Sequence, residues 1–178
     1  MVLTSDVILK GEDWKTAVEK FATFFDTKSQ PYYSIFIISA SIGIKYDIQK
    51  DSAGEILENE NNLSVPRTVL IQHNTELDFM FQAAILSSKL VDFDEKTRMD
   101  LAFNTETVNP FNKMDFIVKF ANFGVTKLLE QIGVNNIDTM DKIKEFLNDT
   151  IEGTNYEIDS FPEEELDIED LKWKRIDN

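Results

Sequence analysis

The chain has 178 residues, 42% of them hydrophobic and 29% charged, a length and balance that fit one globular domain and exclude general disorder. Having no cysteine and a single histidine, His73, it excludes disulfides, thiolate catalysis, cysteine-ligated zinc and a metal site built on two of its own imidazoles. A net charge of −15 with no cluster of Lys and Arg argues against direct binding of nucleic acid or of an anionic membrane surface.

The pattern predicts a mainly α, compact bundle of about six helices, with room for one short strand or hairpin near residues 65–73 and an acidic C-terminal extension. The first spans about Glu12 to Thr27, with Trp14, Ala17, Val18, Phe21, Phe24 and Phe25 on one face. The second begins near Ser29 and Pro31, because Pro is tolerated in a first turn, and runs from Tyr32 to Ile44. It is apolar nearly all round, as a buried helix is, though its β-branched content also fits a buried strand, and Gly43 is its stop. Residues Lys45 to Ser64 read as a long polar loop with a short helix at Ala53 to Glu58. Pro66 favours extended backbone at Val65, and Arg67 to Ile71 read as a short strand or buried extended piece.

A third helix covers about Glu76 to Leu90, with Leu77, Phe81, Ala84, Ile85 and Ser88 inward and Asn74 or Thr75 as its cap. A fourth spans Asp94 to Phe103, and Asn104 to Asn112 connect it to a fifth from Met114 to Ile132, closed by Gly133. The fifth carries Ile117, Phe120, Ala121, Gly124, Val125, Leu128 and Ile132 on one stripe. The sixth, Thr139 to Ile151, places Met140, Ile143, Leu147 and Ile151 at the same period.

From residue 155 the composition changes. Residues 1–154 read as a helical domain and residues 155–178 as an acidic, apolar tail with nine acids and three bases. Phe161, Leu166, Ile168, Leu171 and Trp173 are its anchors, set among Glu163, Glu164, Glu165 and Asp167. Such mixing suits a segment that folds onto a partner or docks on its own domain.

Chemistry-bearing patterns are few. No Walker loop and no Gly-x-Gly-x-x-Gly follows a strand, so no nucleotide or other cofactor is expected. His73 lacks a nucleophile-elbow pattern and reads as a surface or hydrogen-bonded residue. Asp92, Asp94 and Glu95 have oxygens for a divalent cation but not the spacing of a calcium loop, and their place before a helix suits capping. A nuclease of the Pro-Asp…(Asp/Glu)-x-Lys type would need its carboxylates on adjacent strands, and no strand pair is legible. Phe116, Phe120 and Phe123 could stack bases only beside a basic cluster, which the sequence lacks, and they read as core. Residues Met1 to Asp6 show no secretory pattern, and Ile35 to Ile44 are too short and interrupted to span a bilayer, so the cytoplasm is the expected location.

Two segments carry a resemblance. One is Phe25-Asp26-Thr27-Lys28, then Tyr32 to Ser41, then Ile42-Gly43-Ile44-Lys45. The other runs from Phe116 through Lys119-Phe120-Ala121-Asn122-Phe123-Gly124 to Val125, with Leu128 and Leu129 after it. Together they resemble the small proteins associated with bacterial DNA phosphorothioation (Dnd) systems, known as Dnd system-associated protein 4. Phe120 stands where that family has Tyr, and Phe123 where it has the first of two glycines. The resemblance implies an accessory protein in an anti-phage defence locus, beside larger ATPases or nucleases. It transfers no catalytic residue. Gly43, Lys45, Phe120, Ala121, Asn122 and Gly124 are its motif residues, and physically the glycines suit a close helix contact or a stop, with Asn122 satisfying backbone groups at a crossing.

The expectation is a non-enzymatic protein–protein interaction module whose partner is a defence ATPase, nuclease or other DNA-binding protein. The alternative is an acidic DNA mimic or anti-defence inhibitor that occupies a basic cleft.

Overall fold

The computed structural model describes residues 1, 3–24, 31–56, 62–104 and 111–152. Within them the chain is mainly helical, with one small antiparallel sheet.

Strand β1 (Val7–Leu9) pairs with β2 (Leu63–Val65) in the register Val7 to Val65, Ile8 to Ser64 and Leu9 to Leu63. Alternation buries Val7, Leu9 and Val65 and leaves Ile8 outside. These six residues include no carboxylate. Helix α1 (Glu12–Phe21) buries Trp14, Ala17 and Phe21, and gives way to a 3₁₀ turn at Ala22–Phe24, so the α-helix ends earlier than its apolar pattern suggests. The expected continuation at Phe25 to Thr27 lies outside the described residues.

Helix α2 (Pro31–Tyr46) starts at its proline, as expected, and runs past Gly43. Gly43 is therefore not a stop. The stop is Asp47, at φ 50°, in the left-handed region that an Asp side chain tolerates better than most. The Asp47 N–H donates to Ile44 O at 3.1 Å and the Ile48 N–H to Gly43 O at 3.2 Å, the paired bonds of a Schellman ending. Beyond it, residues 48–56 form no helix, and the remainder of the proposed Ala53 to Glu58 helix lies outside the described residues.

The segment Arg67 to Ile71 corrects the sequence reading: it lies in helix α3 (Arg67–Gln72), and the strand precedes Pro66 instead. Its β-branched content points to a strand, but two tertiary bonds favour the helix. The Asp6 carboxylate, 61 residues away, accepts the Arg67 N–H at 2.8 Å, and the Arg67 Nε donates to Leu3 O. An orphan N–H of the first turn is thus met by a side chain no local pattern reveals. Helix α4 (Asn74–Ser87) buries Leu77, Phe81, Ala84 and Ile85 as predicted, with Ser88 buried just beyond its end. Neither Asn74 nor Thr75 caps it; Asn74 is its first helical residue and His73 precedes it.

Helix α5 (Glu95–Phe103) is capped by Asp94, whose carboxylate accepts the Thr97 N–H at 2.7 Å. Arg98 reaches back from α5 to four carbonyls, Ile85, Ser88, Val91 and Phe93, at 2.6–3.0 Å. A guanidinium suits this position because its forked donors meet carbonyls at the end of α4 and in the loop that follows it. Helix α6 (Lys113–Leu129) is capped by Asn112 and is the centre of the molecule. It ends at Leu129, before Gly133. Helix α7 (Asn136–Glu152) follows.

The core is contiguous and rich in phenylalanine. Phe81, Phe93, Phe111, Phe116 and Phe120 touch ring to ring at centroid distances of 5.1–6.0 Å, mostly tilted or edge-on, the arrangement the ring quadrupole favours. Phe116, Phe120 and Phe123 are all buried.

Candidate functional site

The α2–α6 crossing assembles most of the motif residues. A Cβ on Gly43 would collide with the Phe120 carbonyl, and one on Gly124 with the Ser39 carbonyl, so two glycines let the helix backbones touch from both sides. Both collisions are with backbone, which cannot swing aside as a side chain does. Asn122 leaves the same helix toward α1. Its Oδ1 accepts the buried Trp14 Nε1–H at 2.9 Å, and its Nδ2 donates to Lys50 O at 3.0 Å. One amide therefore satisfies a loop carbonyl and an indole 108 positions away, the latter a buried donor that would otherwise be unpaired. Phe120 and Ala121 are fully buried, while Lys45 is exposed in the last turn of α2, where a cation complements the helix dipole. At the crossing the two backbones are in direct contact. What it does chemically is hold three helices and one loop in a single arrangement.

A second polar cluster lies where α2 meets the α3–α4 junction. Tyr33 donates its hydroxyl to Glu76 Oε2 at 2.8 Å, His73 Nδ1 lies 3.0 Å from the same oxygen, and the two rings stack at 4.2 Å. Burial, and then the bond and charge of Glu76, push the Tyr33 hydroxyl well above its ordinary pKa. A phenol held protonated against a carboxylate is a poor general base, and among the described residues no Ser or Thr hydroxyl bonds His73. The cluster ties α2 to α4.

The acidic residues near 94 act locally. Asp94 is held below its ordinary pKa chiefly by the side-chain hydrogen bond from Thr97, and among the described residues no three His, Asp or Glu side chains converge as metal ligands would. Among these residues, too, no helix is long and apolar enough to cross a membrane.

Surfaces remain, and α7 is the first. Its start is built carefully: Asn135 Oδ1 accepts the Asp138 N–H at 3.0 Å, and Asp138 Oδ2 accepts the Val134 N–H at 2.7 Å. Its apolar stripe is nevertheless open. Ile137 is 77% exposed and Met140 43%, Ile143 and Leu147 are half-buried, and Val134 just before the helix is 95% exposed. The chain then enters the acidic segment. Its proposed contact residues Phe161, Glu163, Glu164, Glu165, Leu166, Asp167, Ile168, Leu171 and Trp173 lie outside the described residues.

The second surface, which the sequence reading missed, is the outer row of α4. Phe79 is 71% exposed and Leu86 40%. The available signal was a run without ionisable residues from Phe79 to Ser88, longer than the inward face of one helix requires.

No protein-family model, no curated protein and no solved structure matches this chain.

Proposed function

We propose that the chain is a non-enzymatic protein–protein interaction module, an accessory component of a bacterial anti-phage defence or DNA-modification-linked complex. It holds a larger defence ATPase, nuclease or other DNA-binding protein through α7 and the acidic, apolar segment 155–178 that follows. One observation carries the contact: the apolar stripe of a well-capped 17-residue helix stands open to solvent directly before a segment rich in apolar anchors. The setting rests on the resemblance of the segments around Gly43 and Asn122. The site geometry supports binding over catalysis, because the polar clusters at Asn122 and Glu76 are engaged in joining helices.

The test is affinity capture of the tagged chain from its native cell, washed at low and at high salt, with recovered proteins identified by mass spectrometry. The expected result is a defence ATPase, nuclease or modification enzyme that survives high salt, because apolar anchors are little screened. Ile137→Ser combined with Met140→Ser is expected to lower its recovery at least tenfold while the fold persists. Recovery of a basic DNA-binding protein only at low salt, displaced by duplex DNA, would replace this reading with that of an acidic DNA mimic, the reading the charge of −15 favours.

A further inference from the structure

Helix α4 has two apolar sides. Leu77, Phe81, Ala84 and Ile85 enter the core, whereas Phe79, Ala83 and Leu86, spaced i, i+4, i+7, form an exposed row on the opposite side. A helix at the edge of a globular protein ordinarily places charge on that side. Here no residue from Phe79 to Ser88 ionises, in a chain of net charge −15. Ser87, one turn beyond Ala83 and also exposed, donates its hydroxyl to the Ala83 carbonyl at 2.8 Å, so its polar group is already satisfied by its own helix. The result is an uncharged face with a shallow step at Ala83 and Ser87 beside a projecting Phe79.

We propose that this face binds a second copy of the chain, α4 against α4, antiparallel about a two-fold axis at Ala83. Side-chain sizes select this occupant, and the lack of charge on the face permits it. With Ala83 opposite the partner's Ala83, Phe79 falls opposite the partner's Ser87, and the symmetry repeats the fit of a large side chain over a small one. Two copies of a strongly acidic chain repel over most of their surface, and they approach most easily where neither carries charge. None of these residues lies on α7, so loss of self-association and loss of partner capture are read with different variants.

The full chain has no cysteine, so single-cysteine variants report one position each. Ala83→Cys, treated with oxidised glutathione, is expected to form a disulfide-linked dimer at least tenfold faster than Ser87→Cys or Val134→Cys. Val134 is 95% exposed and measures random collision. In sedimentation, the wild-type mass is expected to rise with concentration from 20.5 kDa toward twice that value, and Phe79→Glu to abolish the rise. Equal rates at positions 83, 87 and 134 would overturn the proposed pairing, even for a chain that dimerises. A wild-type chain that stays at 20.5 kDa overturns self-association: an Ala83→Cys thiol that resists maleimide then assigns the face to the chain's own residues 153–178, and one that reacts freely assigns it to a different protein.

Discussion

Helices α6 and α7 are both 17 residues long, both begin at an Asn cap and both carry an apolar stripe of helical period. In α6, Phe116, Ile117 and every residue from Phe120 to Val125 are buried. In α7, the apolar residues at 137, 140, 143, 146 and 147 all keep some exposure. The difference lies in the neighbours. Helix α6 meets α2 through two glycine contacts, α1 through Asn122 and Thr126, and the loop after α2 through Lys119 and Asn122. Helix α7 rests with one side on the core through Ile143 and Phe146. Periodicity reports which side of a helix is apolar; how much of that side is covered depends on what else packs there.

The contrast can be broken most severely at Gly124. Gly124→Val places a branched side chain against the Ser39 carbonyl backbone, and is expected to lower unfolding stability by about 3 kcal/mol or more, measured by urea denaturation. A negligible loss would mean that the helices can separate without breaking the core. A milder, matched pair sharpens the contrast: Ile117→Ala in α6 is expected to cost about 2–5 kcal/mol, and Ile143→Ala in α7 less than half as much as its partner, because part of the α7 side chain is already in water. Equal losses would show that α7 is as firmly packed as α6.

The smallest effect concerns the start of α7. The hydrogen bond from the Val134 N–H, with lesser help from Lys142, holds the Asp138 carboxyl below its ordinary pKa. A depressed folded-state value stabilises the fold above the unfolded value of about 4, and that contribution is lost as pH falls through the folded value. Asp138→Asn is therefore expected to lower the denaturation midpoint at pH 7, with the gap to wild type closing as the pH falls below about 4. A gap that is constant with pH would mean that the carboxylate charge contributes nothing to the cap.

Much of this was legible without coordinates. The inward row of α4, the stripe of α6 and the capping role of Asp94 follow from spacing and from orphan N–H groups that a nearby carboxylate can meet. The exceptions share a cause. Helix α3 reads as a strand because part of its cap comes from Asp6, and β1 is only three residues long, with its partner more than fifty residues away. Gly43 reads as a stop because glycine ends many helices, yet Asp47 takes the left-handed position and leaves the glycine to the crossing.

The sequence by itself determined that the chain is mainly helical, strongly acidic and rich in phenylalanine, and which side of most helices is apolar, because these depend on composition and on neighbours three or four residues apart. Only the tertiary structure decided that Gly43 and Gly124 are points of backbone contact, that Asn122 joins Trp14 to Lys50, and that α4 and α7 keep apolar rows in solvent. Those outcomes depend on groups brought together from distant parts of the chain, and a pattern of local period carries no record of them.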